Sequence, residues 1–462
     1  MLNIRRAPTP GALLLRPIPE GGAPHPSGFR GAPGQVLEAT PGEHWIGADG
    51  ASSACEWEQV GAACIAAAGA SRRVALDARG LPVQFAVALA TGALLRAWSF
   101  ERLKSRRGKR PRRVELLVDD PGLLATPWAR AEAALAGVAF ARELVTEPAN
   151  HLTPPAFTQR LRALRIEGIK VTVLGCRTLQ RMGAGGLLAV GQGSVHSPSI
   201  VILHWKGSFP APPVAFIGKG ICFDTGGISI KGATGMEAMR ADMAGAAACA
   251  GAMLALARRR CPCPAVAVLA IAENATGSAS YRPGDVLRML SGRTVEVVDT
   301  DAEGRLVLAD ALHLAVTRFR PQALLDLATL TGSVVTALGH HRAGLFGNDA
   351  ALGAAVTAAG EMVGERLWPL PIGERHRADL LSDIADLRQC VPAGKGPQPD
   401  ASHAAAFLRE FVGDLPWGHL DIAGVETAET TESLAAKGTA TGFGVRLLDA
   451  LVERHFEDPH RL

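Results

Sequence analysis

Between Lys170 and Ile422 the chain alternates short, continuously apolar runs with stretches of helical length, and this alternation limits the folds open to it. The runs are Lys170–Leu174, Ser199–His204, Val214–Gly218, Ala265–Ala272, Thr294–Val298, Ala323–Ala328 and Gly418–Ile422. Several, such as Val214–Gly218 and Ala265–Ala272, are apolar at consecutive positions rather than at every second one, so both faces of those strands must be covered. Strand-then-helix units of this kind build an α/β domain: a mostly parallel central sheet flanked by helices on both faces. A smaller α/β domain precedes it. There, Arg73-Val74-Ala75-Leu76 and Val114–Val118 read as strands, and the Ala-rich run from Val83 to Trp98 reads as a helix. Residues 1 to about 35, rich in Pro and Gly, are expected to be irregular, and Pro127 to Val145 to form a long joining helix. The expected boundaries are 1–126 for the N-terminal domain, 127–148 for the linker helix and 149–462 for the C-terminal domain.

A chain of 462 residues with 48% hydrophobic and 20% charged residues can bury a large core, which excludes wholesale disorder. Its net charge of +4 does not by itself call for nucleic acid. The segment "RLKSRRGKRPRR", residues 102–113, could form a DNA-binding patch, but Gly108 and Pro111 interrupt it and no aromatics are interleaved. It reads as a solvated loop. Eight cysteines without a regular framework indicate reduced thiols and a cytoplasmic protein, with Cys261 and Cys263 as core residues. The apolar run before Arg16 is too short for a signal peptide. The longest apolar block, Gly245 to Ala257, suits a buried helix rather than a membrane span.

Two of the runs lead into unusual chemistry. Val214–Gly218 continues into "GKGICFDTGGISIKGATGMEAMRADMAGAA", which carries Lys219, Asp224, Lys231 and Asp242. Thr294–Val298 continues into "DTDAEGRLVLADAL", which carries Asp301, Glu303 and Arg305. Open parallel sheets bind ligands beyond the carboxyl ends of their strands, so both segments are expected to meet in one crevice. Four bare carboxylates cannot crowd together without protonation, whereas two divalent cations would neutralise them and could activate a water between them. With no Cys or His in the set, Zn²⁺, Mn²⁺, Mg²⁺ or Co²⁺ fits. Lysines beside such ions can polarise a carbonyl, or ligate as neutral amines.

Blander accounts exist for each piece. The full phosphate-loop pattern is absent around Gly218-Lys219-Gly220. Asp242 alone could be a helix cap, and Asp301 and Glu303 could accept backbone N–H groups at a helix start. Taken together, these accounts leave two charge clusters unexplained. Asp310, His313 and Thr317 form a narrow polar stripe on the following helix and read as structural.

The segments "GKGICFDTGGISIK", "MRADMAGAA", "DTDAEGRLVLADAL" and "LATLTG" closely resemble the leucyl (cytosol) aminopeptidase family of dimetal metallopeptidases. The likeness extends to "EPANHLTP", "AAAFLREFV" and "WGHLDIAG", while the first 130 residues match only loosely. The resemblance implies that Lys219, Asp224, Asp242, Asp301 and Glu303 ligate two metal ions per subunit, Mn²⁺ or Zn²⁺, with Asp224 and Glu303 bridging. It implies Lys231 as the group polarising the scissile carbonyl, and Arg305 as the holder of a bicarbonate that acts as general base. Met239, Thr329 and Gly332 match positions lining the pocket for the substrate's first side chain, which favours apolar residues such as leucine. The implied activity is removal of amino-terminal residues from peptides, and the implied assembly is a homohexamer. The alternative is a DNA-binding hexameric assembly protein, resting on the basic segment alone.

The chain departs from the family pattern at Asp299, where Asn is usual, and at Gly232, where Pro is usual. Asp400-Ala401-Ser402-His403 departs from the small residues usual before "AAAF". Asp299 is read as capping the turn, with a changed metal preference as the alternative, and His403 as a loop residue.

Overall fold

In the computed structural model of the chain, residues 2–19, 28–106, 108, 113–392, 398–430 and 434–457 are described. The chain divides into two compact units. The first comprises Met1–Leu135, Met362–Gly364 and Thr427–Thr441; the second comprises Ala136–Glu361, Glu365–Glu426 and Gly442–Leu462.

The first unit holds a six-stranded sheet of β1 (Leu2–Arg5), β2 (Leu13–Ile18), β3 (Val36–Thr40), β4 (Glu43–Gly47), β5 (Arg73–Asp77) and β6 (Arg113–Leu117). Its order is β1-β6-β5-β2-β4-β3, parallel except for the β3–β4 hairpin. The expectation of an irregular start is overturned, because Leu2–Arg5 and Leu13–Ile18 are strands of this sheet. Leu15 is wholly buried, and Pro17 lies past the last residue paired with β5, so that side asks no N–H of it. The Ala54–Ala67 helix starts at a capping box in which Ser53 and Glu56 satisfy each other's backbone N–H groups. The Val83–Ala97 helix also belongs to this unit. Part of the basic segment, residues 107 and 109–112, lies outside the described residues. The long helix starts earlier than expected, running Pro121–Thr146 with Pro127 inside it.

In the second unit, β7 (Lys170–Gly175), β8 (Ser199–Trp205), β9 (Val214–Asp224) and β10 (Ala265–Asn274) come first in the chain. They are followed by β11 (Val286–Arg288), β12 (Thr294–Glu296), β13 (Ala323–Ala328), β14 (Ala343–Gly347), β15 (Leu367–Pro369), β16 (Leu387–Arg388) and β17 (Trp417–Asp421). The main sheet has eight strands in the order β15-β14-β17-β13-β9-β10-β8-β7. Its centre, β17-β13-β9-β10, is parallel, as the apolar runs indicate; β8 and β14 enter antiparallel.

One strand is placed elsewhere than the sequence reading put it. Thr294–Glu296 belongs to a separate three-stranded sheet, β11-β12-β16, and not to the central one. A short β-branched run satisfies either location, and the pairing with Val286–Arg288 decides it. Helices Ala244–Arg258 and Glu303–Phe319 pack against the central strands, with nearly every residue of the former buried. Each fully buried Leu, Ile or Val of this core stabilises the fold by roughly 1.5–3 kcal/mol. All eight cysteines are free, with Cys261 and Cys263 buried. Among the described residues, no helix is long and apolar enough to cross a membrane.

Candidate active site

At its carboxyl end β9 stops being apolar and delivers Lys219 and Asp224, both buried. A short 3-10 turn, Met236–Ala241, then places Asp242 at its end, and the Glu303–Phe319 helix opens with Glu303, which is 1% exposed. One carboxylate oxygen from each of Asp224, Asp242 and Glu303 lies within 4.8 Å of the others. Lys219 Nζ donates to Asp242 Oδ1 at 2.8 Å and to the Thr329 carbonyl at 2.9 Å, and sits 2.8 Å from Glu303 Oε1. Thr329 Oγ1 donates to the same Asp242 oxygen at 2.7 Å. Lys231 reaches in from the following loop, with Nζ 2.9 Å from Asp224 Oδ2 and 2.5 Å from Asp301 Oδ1.

The structure therefore brings Lys219, Asp224, Asp242 and Glu303 into one cluster and joins Asp301 to it through Lys231. Met239 accepts the Asp242 N–H through its carbonyl, and Gly332 opens the Gly332–Leu338 helix just beyond Thr329. Two glycines make the packing feasible. Gly226 has φ +84°, a backbone state other residues avoid, and a Cβ on Gly304 would lie 2.6 Å from Lys219 Cε.

Several partners carried no local signal. Asn274, fully buried at the end of β10, donates to Asp224 Oδ1 at 2.7 Å and to the Thr300 carbonyl at 3.0 Å. Thr300 Oγ1 donates to Gly226 O at 2.6 Å, and Tyr281 Oη donates to Thr300 O at 2.9 Å. An asparagine ending an apolar strand is a faint clue at best. Asp299 behaves as expected of a turn cap, accepting the Asp301 N–H at 2.9 Å. Asp310 is structural, accepting the N–H groups of Leu187 and Leu290. His403 is not a loop residue: it lies in the Asp400–Arg409 helix, buried, with Nε2 3.1 Å from Asp379 Oδ2. An acidic residue in the first turn, Asp400, and the helix-forming Ala-Ala-Ala that follows carry it into the helix.

The electrostatics is unbalanced. Four carboxylates face two ammonium groups. Burial, reinforced by Asp224, pushes the Glu303 carboxyl up to about 8. Burial likewise raises Asp242 to about 7 and Asp301 to about 6. Burial alone would lower the two lysines, but the carboxylates around them hold both above the ordinary lysine value. Asp242 Oδ2 is buried with no hydrogen-bond partner among the described residues. An orphaned carboxylate oxygen inside a cluster short of positive charge suits a divalent cation, and this oxygen-rich donor set fits one.

The same residues fall within a recognised sequence family. Residues 139–449 match the catalytic domain of the cytosol aminopeptidase family. A probable cytosol aminopeptidase of Brucella anthropi is 41% identical over 93% of this chain and 90% of its own length. One of Gluconobacter oxydans is 45% identical over 80% of this chain and 76% of its own. Among solved structures, the bottromycin maturation enzyme BotP in complex with Mn superposes with a TM-score of 0.86. It is 35% identical, over 95% of this chain and 98% of that one. With an acidic cluster fit for a cation at the end of its central strand, and with relatives matching it over most of its length, the chain belongs to the cytosol aminopeptidase family and is a metallo-aminopeptidase, a hydrolase.

Proposed function

We propose that the protein removes amino-terminal residues, apolar and leucine-like by preference, from peptides with two divalent metal ions at this site. The observation that carries the reading is the buried trio of Asp224, Asp242 and Glu303, short of positive charge, with Lys219 against it. Asp301 and Lys219 complete the set that would hold the ions. Mn²⁺ or Zn²⁺, or else Mg²⁺ or Co²⁺, fits these donors. When bound, such ions supply Lewis acidity and an anchor for the substrate's free amine.

The remaining work falls to the chain. Lys231, whose side chain is 23% exposed, presents an ammonium to the oxygen on which charge develops as the scissile carbonyl is attacked. Asn274 fixes Asp224 through one oxygen and leaves the other toward Lys231. Met239, Thr329 and Gly332 border the place of the first side chain and set its apolar preference. The resemblance that supplies this reading also implies a cytoplasmic homohexamer, which light scattering coupled to size exclusion checks.

Leucine p-nitroanilide hydrolysis tests the proposal, measured before and after chelation and after Mn²⁺, Co²⁺ or Zn²⁺ add-back. Loss on chelation and recovery on add-back are expected. Activity indifferent to chelator, to Asp301→Ala and to Lys231→Ala would sink it.

A further inference from the structure

Arg305 is 2% exposed and stands two residues beyond Glu303 in the first turn of the Glu303–Phe319 helix. Its guanidinium donates to the Gln389 carbonyl and to Asp400 Oδ1, each at 2.9 Å. Its Nε is buried with no partner among the described residues. The anion beside this cation is therefore supplied by the chain itself, from a residue 95 positions away.

Asp400 opens the Asp400–Arg409 helix, and its side chain is 41% exposed where that of Arg305 is 3%. The next residue, Ala401, donates its N–H to Ser333 Oγ at 2.8 Å. Ser333 lies four residues after Thr329, whose hydroxyl meets Asp242. Arg305, whose guanidinium also feels the charge of Glu303, thus holds the carboxylate, and Ser333 holds the backbone next to it, while the carboxylate stays open to solvent. A guanidinium that orients a carboxylate by a charge-assisted hydrogen bond makes a fixed proton acceptor. Tethering in one chain also gives it an advantage over any dissolved anion, because its translational freedom is already lost.

We propose that Asp400 is the general base of this enzyme, occupying at Arg305 the place where the family resemblance implies a bicarbonate. The inference rests on the aminopeptidase reading above. Asp400 takes a proton from the attacking water as the water oxygen bonds to the carbonyl carbon, and the carbonyl π pair moves onto the oxygen facing Lys231. It then returns that proton to the amide nitrogen as the C–N bond breaks and the carbonyl re-forms. The products are an amino acid and a shortened peptide, Asp400 ends as it began, and no electrons are exchanged with any other species.

The test compares wild type, Asp400→Gly and Asp400→Asn, on a leucyl peptide and on leucine p-nitroanilide, with and without bicarbonate. Both variants should lose about 10²–10⁴-fold in kcat/KM on the peptide. The loss should be smaller on the anilide, whose leaving group needs less help from a proton. Bicarbonate should rescue Asp400→Gly, which has room for it, and leave wild type unchanged. A second readout needs no activity: ¹³C-bicarbonate titrated into metal-free protein should bind saturably to Asp400→Gly, not to wild type, and not once Arg305→Ala is added. If Asp400→Gly does not fold, Asp400→Asn and an Asp400→Glu rescue decide the matter. Wild-type rates in Asp400→Gly without bicarbonate or in Asp400→Asn, or saturable bicarbonate binding by wild type, would overturn the proposal. If wild type hydrolyses neither substrate, the aminopeptidase reading fails, while the bicarbonate titration still shows whether Asp400 fills the anion place at Arg305.

Discussion

Asp326, Trp417 and His419, on two strands of the eight-stranded sheet, are as buried as Asp224, Asp242 and Glu303, of which only Asp224 lies on a strand, yet the two groups are built differently. In the first, each carboxylate oxygen has its donor: Asp326 Oδ2 accepts from Trp417 Nε1 at 2.7 Å, and Oδ1 lies 2.5 Å from His419 Nδ1. One anion faces one titratable ring, and His419 is stacked between Phe346 and Trp417. In the second, carboxylates outnumber ammonium groups and Asp242 Oδ2 has no partner among the described residues. Burial of charge is common to both, so burial does not mark a functional site. Charge imbalance does: His419 Nε2 also lacks a partner among the described residues, but one anion matched by one ring stabilises one arrangement, while carboxylates in excess of cations call for a ligand.

The largest expected effect breaks the unbalanced cluster. Asp242→Ala removes a donor oxygen and a partner of Lys219, and should lower peptide hydrolysis by roughly 10³-fold, equivalent to about 4 kcal/mol. Metal content by mass spectrometry should fall with it. Lys231→Ala should cost about 10²–10³-fold in kcat, the scale for losing one group that stabilises a developing oxyanion. Bound metal should remain, which separates the two roles.

The charge-matched group should respond in stability instead. Asp326→Ala leaves His419 buried beside an empty position, and should destabilise the fold by about 3–5 kcal/mol in urea titrations. Metal content of the folded fraction should be unchanged. Burial alone would lower the His419 value, but Asp326 more than offsets this and raises it above the ordinary 6.5. The imidazolium is then favoured in the folded state. Its contribution is complete below about 6.5 and declines as pH rises through the higher folded value. His419→Gln should flatten that part of the stability–pH curve; an unchanged curve would count against the ion pair. The smallest effect is expected at Asp299→Asn, which keeps an acceptor for the Asp301 N–H and should change stability by no more than about 0.5 kcal/mol.

Much of the site could be read along the chain because its residues are close in sequence to strong local signals. Lys219 and Asp224 end an apolar strand, and Glu303 and Arg305 open an apolar helix. Asn274 could not be found this way, since a single polar residue at a strand end is common and its contact with Asp224 spans 50 residues. The pairing of Thr294–Glu296 outside the central sheet is hidden for a related reason: a short β-branched run records burial but not its neighbour. The antiparallel entry of β8 is similarly invisible, because a strand covered on both faces is apolar throughout in either direction.

By itself, the order of residues determined which segments are strands and helices of an α/β core, and which side chains could bear metal chemistry. Periodicity and burial are local properties, written every two to four residues. Tertiary structure alone decided that Asp400 meets Arg305, that Asn274 holds Asp224, and that Asp326 is matched by His419 while the carboxylates around Lys219 and Lys231 outnumber their cations. Those outcomes depend on which strands become neighbours, and packing of the whole chain settles that, with no trace in the spacing of any one segment.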